Sequence, residues 1–266
     1  MVVDEGGYRS LYFDNQMIQS RMALEDPLRL ILPYTRHMLA CLLFNNHPQH
    51  ILMVGLGGGS LAKFFLHHFP ECRVEVVDSN PEMAAIARQF FFLPIDDRLT
   101  LYCADGEDFI ATMAGRQPLY DLILIDAFDH DGMARSVYTH PFFRQIRPLL
   151  THDGVLVLNV NRAEVGAYSP ILTHITDCFS EASFRLPVPL PSHNEIIFCC
   201  KHKSATTHLT APCQQMAGWT QQKPELDFID WMQRMTLLKH ITLPKQGIWR
   251  QWMDHLDRYR NRCSGP

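Results

Sequence analysis

The stretch from Ile51 to Asp78 limits what this chain can fold into more than any other. It reads I-L-M-V-G-L-G-G-G-S, then a helical run, then R-V-E-V-V-D. An apolar strand enters a glycine-rich turn, a helix follows, and a second apolar strand ends on a carboxylate. At Gly55, Gly57 and Gly59 backbone amides approach a ligand where any Cβ would clash. Asp78 lies about twenty residues beyond, the separation at which an acid reaches ribose hydroxyls in doubly wound sheets. The segment points to a nucleoside-containing ligand, against the plainer alternative of a structural turn.

Both flanks extend the pattern. Residues Ser10 to Met22 read as a hairpin around Asp14-Asn15, and Asp26-Pro27 opens a run to Phe44 with helical apolar spacing after Pro33. Beyond Asp78, Asn80-Pro81-Glu82 supplies a cap, a proline at the first helical position and an acid in the first turn. Strands are expected at Leu99 to Cys103, Tyr120 to Ile125, Gly154 to Val160, Phe184 to Val188 and Glu195 to Lys201. Helices are expected after Asp105-Gly106, Thr139-His140-Pro141 and Ser169-Pro170. This alternation predicts a parallel sheet covered on both faces. Lys201 to Gln222 reads as a linker or surface loop. From Pro224 on, Phe228, Trp231, Met232, Met235, Trp249, Trp252, Met253 and Leu256 recur at helical spacing. The expected division is 1–46, a hairpin and helix; 47–203, the nucleoside-binding domain; and 204–266, a linker and helical tail.

Composition excludes several functions. A formal net charge of −4 supplies no basic excess for a phosphate backbone, so nucleic acid is not an expected partner. No apolar run approaches membrane-spanning length, and the M-V-V-D-E-G-G start lacks the basic and apolar regions of a signal peptide. A cytoplasmic protein is expected. The 14 histidines form no zinc motif, and the 8 cysteines include no C-x-x-C, so no metal is expected. Reduced, buried thiols are the expected state of Cys41, Cys72, Cys103, Cys199 and Cys200.

The chemical signal is a set of acids at strand ends. Asp78, Asp105 and Asp126 follow three successive strands, at the edge where open α/β sheets bind ligands. Each has a structural alternative: Asp78 ordering the turn through Ser79 and Asn80, Asp105 capping the next helix, Asp129 serving as a turn residue in A-F-D-H-D-G.

In order along the chain, V-G-L-G-G-G-S, V-V-D-S-N-P, A-D-G-E-D-F and L-I-D-A-F-D resemble the spermidine synthase family, the polyamine aminopropyltransferases. The resemblance runs from about Tyr8 to Lys201. It implies an α/β fold with a class I methyltransferase-like Rossmann sheet, a small N-terminal β element and a helical C-terminal appendage. It implies transfer of the aminopropyl group of decarboxylated S-adenosylmethionine to a small amine. Gly55, Gly57 and Gly59 would lie beneath the donor's aminopropyl end and Asp78 would hold its ribose. Asp105-Gly106 would receive the adenine amine. Asp126 and Asp129 match the two acids of the family's D-S-S-D loop, the second acting as base. Gln19 matches the glutamine ending the family's N-terminal strand motif. By the same analogy the chain is expected to pair as a homodimer.

The sequence also departs from the family pattern. Gly58 stands where the family's aspartate grips the donor's free amine. The family's Y-x-E reads Tyr34-Thr35-Arg36, and an arginine there would repel a polyamine. The family's T-Y-P-S-G becomes Pro189-Leu190-Pro191-Ser192-His193. Two other functions are therefore carried beside aminopropyl transfer. One is S-adenosylmethionine-dependent methyl transfer, with Lys63 or the amides after Ser60 meeting the donor's carboxylate. The other is a nucleoside-binding scaffold without turnover.

Overall fold

The computed structural model describes residues 1–12, 18–115, 119–129, 132–179, 182–202 and 214–238. The N-terminal element is a three-stranded antiparallel sheet of β1 (Val2–Glu5), β2 (Tyr8–Tyr12) and β3 (Ile18–Ala23). The sequence reading missed β1. Its signal was Gly6-Gly7, both at positive φ, a two-residue hairpin turn that glycine adopts without strain. The expected Asp14-Asn15 turn lies outside the described residues.

Ahead of the helical spacing expected after Pro33, the run opens with a turn at Asp26. Its Oδ1 accepts the Leu28 amide, forming a local turn that competes with helix. Helix α1 (Pro33–Met38) starts on Pro33 and tightens into a 3-10 helix over Leu39–Leu43. The alternation follows: β4 (His50–Val54), α2 (Ser60–His68), β5 (Arg73–Asp78), α3 (Met83–Phe91), β6 (Leu99–Cys103), α4 (Gly106–Thr112) and β7 (Tyr120–Ile125). A small hairpin of β8 (Phe128–Asp129) and β9 (Gly132–Met133) leads to α5 (His140–Leu149), β10 (Leu150–Asn161) and α6 (Val165–Cys178). Then come β11 (Ser183–Pro187), β12 (Asn194–Cys200), α7 (Gln214–Gln222), α8 (Phe228–Arg234) and β13 (Thr236–Leu237).

The main sheet has the order β13-β11-β12-β10-β7-β4-β5-β6. Neighbours from β10 through β6 are parallel, whereas β12 runs antiparallel to both β10 and β11. The sheet is mixed rather than parallel. The reason is local: only a short loop separates β11 from β12, too short for the crossover that a parallel pair needs. Ile51, Met53, Val74, Val76, Leu122 and Leu124 pack on one face; Leu52, Val54, Val77, Ile123 and Ile125 pack on the other. That two-sided burial is why these strands read as continuous apolar runs.

Helix α6 begins five residues before Ser169-Pro170, so Pro170 sits inside it instead of starting it. The start is set by Glu164, whose carbonyl accepts the Ala167 and Tyr168 amides while its side chain is held by Asn161 and Met133. At the C-terminal side, Phe228, Trp231, Met232 and Met235 are buried in the same cluster as Ile51 and Leu122, and β13 extends the sheet beyond β11. Trp249, Trp252, Met253 and Leu256 lie outside the described residues. Cys41, Cys72, Cys199 and Cys200 are buried, but Cys103 is exposed, because it ends the edge strand β6. Among the described residues no helix is long and apolar enough to cross a membrane.

Lys63 was a candidate to meet a donor carboxylate, and the fold assigns it elsewhere. It is only 3% exposed, and its Nζ donates to Phe91 O at 2.7 Å and Pro27 O at 3.0 Å, with Met22 Sδ at 3.3 Å. One ammonium thus ties α2 to the end of α3 and to the N-terminal sheet. Burial pushes its pKa down to about 8. Above that pH the folded chain has released a proton that the unfolded chain keeps until about pH 10.4. Stability from this group therefore rises with pH across that window. Lys63→Met orphans two carbonyls and is expected to cost about 2–3 kcal/mol in denaturant melts at neutral pH. The deficit against wild type should widen at higher pH, where only wild type gains; an unchanged melt would show that the ammonium links nothing.

Candidate active site

The strand order reverses between β4 and β7, and the site is built at their carboxyl ends. Gly55 ends β4 with φ +100°, and a Cβ there would lie 2.2 Å from the Asp126 carbonyl oxygen. No side chain fits between these two strand ends, so the glycine brings them together. Asp126 N donates back to Val54 O at 2.9 Å, closing the junction. Gly57, at φ +50°, likewise leaves room for Ser20 Oγ, which accepts the Gly58 amide at 2.7 Å. The N-terminal sheet is thereby docked onto the glycine turn.

Asp78 ends β5. Its Oδ2 accepts the Leu56 amide at 2.8 Å and its Oδ1 accepts the Asn80 amide at 2.9 Å. One carboxylate shapes both the glycine turn and the turn after β5. Asp105 caps α4, accepting the Glu107 amide at 2.8 Å and the Asp108 amide at 3.3 Å through Oδ1 alone. The structural roles weighed for these two acids are present, and each acid also lines a common cavity. Gly106 follows Asp105 without a Cβ because Val54 and Val137 close in to 2.7 and 2.9 Å.

The cavity has a volume of about 650 Å³ and is walled by Gln19, Gly55, Gly57, Asp78, Asp105, Gly106 and Asp126. Gly59 stands behind the turn, where its missing Cβ would meet Leu93 at 2.8 Å, so it serves packing and the start of α2. Asp129 contributes backbone to β8, directly after the strand carrying Asp126; its side chain lies outside what the structure describes.

Asp126 is the chemically distinctive acid. Asn159 Nδ2 donates to its Oδ1 at 2.8 Å, and the Tyr34 phenol interacts with the same carboxylate. Burial raises its pKa, and the contacts with Asn159 and Tyr34 only partly offset that. Asn194 Nδ2 donates to Asn159 Oδ1 at 2.9 Å, so a chain of amides fixes the carboxylate. Sequence reading did not single out Asn159, Asn161, Asn194, Glu164, Arg21 or Arg135, all of which line the cavity. Asn159 carried a faint signal, since it is a polar residue inside the apolar run from Val155 to Val160.

The departures acquire positions as well. Arg36 does not line the cavity; it lies near Glu225 and Arg29, so it does not repel a cation there. The preceding residues, Tyr34 and Thr35, are the ones that face inward. Gly58 is also absent from the cavity wall. A Cβ on it would meet the Phe91 ring at 2.8 Å and Ser20 Cβ at 3.1 Å. Leu190, in the place of the family's tyrosine, is 79% exposed.

Comparison with known proteins agrees with this architecture. A polyamine aminopropyltransferase of Chromobacterium violaceum is 40% identical over 159 residues, covering 59% of this chain and 60% of that protein. The eEF1A lysine and N-terminal methyltransferase of Mus musculus is 32% identical over 206 residues, covering 74% of this chain but 29% of that protein. Among solved structures, a probable spermidine synthase from Corynebacterium glutamicum superposes with a TM-score of 0.66 at 17% identity, covering 83% of this chain and 82% of that one. Human methyltransferase-like protein 13, in complex with SAH, gives 0.62 at 24% identity, covering 80% of this chain and 98% of that one. These two likenesses show the fold, an α/β Rossmann-like sheet of the class I methyltransferase and spermidine synthase kind. The spermine/spermidine synthase domain matches residues 33–210, well over half of the sequence, and the chain belongs to that family.

Proposed function

We propose that this chain is an aminopropyltransferase that moves the aminopropyl group of decarboxylated S-adenosylmethionine to a small amine. The observation that carries this reading is Asp126: a buried, hydrogen-bonded carboxyl opening on the same cavity as Asp78 and Asp105. The two strand-end acids and the glycine turn suit the adenosine, with Asp78 at the ribose and Asp105-Gly106 at the adenine. Gln19 closes the cavity from the N-terminal sheet. In the reaction the acceptor nitrogen attacks the carbon beside the sulfonium. The new C–N bond forms as the C–S bond breaks, and methylthioadenosine leaves with the electron pair. The attacking nitrogen sheds one proton, and Asp126 takes it. A carboxylate whose pKa is raised by burial is a better base for that step than an exposed one. Asn159 and Tyr34 hold it in place, so little rearrangement accompanies the charge transfer. Asp129, on the adjoining hairpin, is the second acid in this proposal.

Methyl transfer from S-adenosylmethionine is the second reading, and two observations favour it. The Gly58 position is packed against Phe91 and Ser20, so no acid projects from it to grip a donor amine. Arg21 lines the cavity with a buried Nε that has no hydrogen-bond partner, and it stacks on Tyr8 at 4.5 Å. A guanidinium with its Nε–H unpartnered among the described residues suits a donor that keeps its carboxylate.

Product analysis separates the two readings. Aminopropyl transfer releases methylthioadenosine, whereas release of S-adenosylhomocysteine instead would replace the first reading with the second. Asp126→Asn is expected to lower kcat by a factor of about 100 or more while methylthioadenosine affinity changes little; wild-type turnover in that variant would remove Asp126 from the chemistry. Because burial raises the Asp126 pKa, the acid limb of the wild-type rate profile should fall above the ordinary aspartate value of about 3.9. A limb at or below that value would contradict its role as base.

A further inference from the structure

Glu164 takes no part in the sequence motifs, yet among the described residues it is the carboxylate left on the cavity wall once Asp78, Asp105 and Asp126 are assigned. Its position is set from three sides. The Met133 amide donates to both carboxylate oxygens at 3.3 Å, and Asn161 Nδ2 donates to Oε1 at 3.2 Å. Gly132, at φ +121°, leaves the carboxylate the space that a Cβ would fill at 2.7–2.8 Å.

Strand β10 relates Glu164 to Asp126. Asn159 holds the Asp126 carboxylate and Asn161 holds that of Glu164. The two asparagines are two residues apart, so their side chains leave the same face of the strand, spaced by about 7 Å. Two carboxylates held from neighbouring positions on one strand face offer partners for the two nitrogens of a short alkane-diamine. Asp78 and Asp105 are assigned to the adenosine in the proposed reading, and Arg21 and Arg135 repel a cation elsewhere on the wall. We propose that Glu164 binds the acceptor's second, unreactive ammonium while Asp126 serves the reacting nitrogen, so that Glu164 sets the preference for diamines over monoamines. This deepens the aminopropyl reading and rests on it for the acceptor's identity. In the family pattern the diamine is held partly from the Y-x-E segment; here that acid position is Arg36, which faces away, and the negative charge comes from the loop after β10.

The test uses the full chain saturated with methylthioadenosine, titrated calorimetrically with 1,4-diaminobutane and with butylamine. Wild type is expected to bind the diamine at least tenfold more tightly than the monoamine. Glu164→Gln should bring the two within about twofold of each other. Glu164→Asp, which keeps the charge, should retain part of the preference. Methylthioadenosine affinity and melting temperature should stay near wild type in both variants, which a purely structural role in the hairpin would not allow. A diamine preference that survives in Glu164→Gln overturns the proposal, as does a wild type with no preference. The titration needs no turnover, so the donor and the reaction can be judged separately from the products formed.

Discussion

The close approach of Gly55 to Asp126 is the constraint on which the site depends. Strand β4 opens the half of the sheet that carries the nucleoside acids, and β7 opens the half that carries Asp126. A side chain at residue 55 would push against a backbone carbonyl, which cannot swing aside as a flexible side chain does. With glycine there, the hydrogen bonds from Asp126 N to Val54 O and from Gly55 N to Val77 O join three strand ends and bring the Asp78 turn and the Asp126 carboxylate around one cavity. Asp78 tightens the same junction by accepting the Leu56 amide, so the acid proposed for the ribose is also a brace for the turn beneath it.

How much of this was legible in the sequence follows from the range of the forces involved. The strands β4 to β7 and the acids that end them were readable because two-sided burial and glycine turns leave local marks. The direction of β12 depended on a loop length, and the start of α6 depended on Glu164 being held by residues from β9 and β10. Neither carries a local pattern. Lys63 looked like an ordinary helix lysine; its burial arises from the N-terminal sheet and α3 converging on α2. Glu164, Arg21 and the three asparagines became candidates only when the cavity brought them together, since single polar residues next to strands are common. Arg36 misled because the sequence cannot tell which side of α1 a residue occupies.

The two ends of the cavity have diverged to different extents from the family pattern. At the end proposed for the nucleoside, the glycine turn, Asp78 and Asp105-Gly106 keep the family pattern. At the other end Gly58, Arg36 and Leu190 have lost the side chains expected there, and none of the three lines the wall. Tyr34, Asn159, Asn161 and Glu164 line it instead. These departures from the family pattern are thus accompanied by polar residues supplied from β10 and the loop after it.

The charge on the wall bears on the donor as well. Among the described residues, four carboxylates, Asp78, Asp105, Asp126 and Glu164, share the cavity with two arginines, Arg21 and Arg135. Such a balance favours a donor tail that ends in an ammonium alone over one that also carries a carboxylate. The most direct measurement is a paired calorimetric titration with S-adenosylmethionine and its decarboxylated form. Tighter binding of the decarboxylated form by tenfold or more, about 1.4 kcal/mol, is the expected result; a preference of that size for the carboxylated form would contradict aminopropyl transfer as the function of this site.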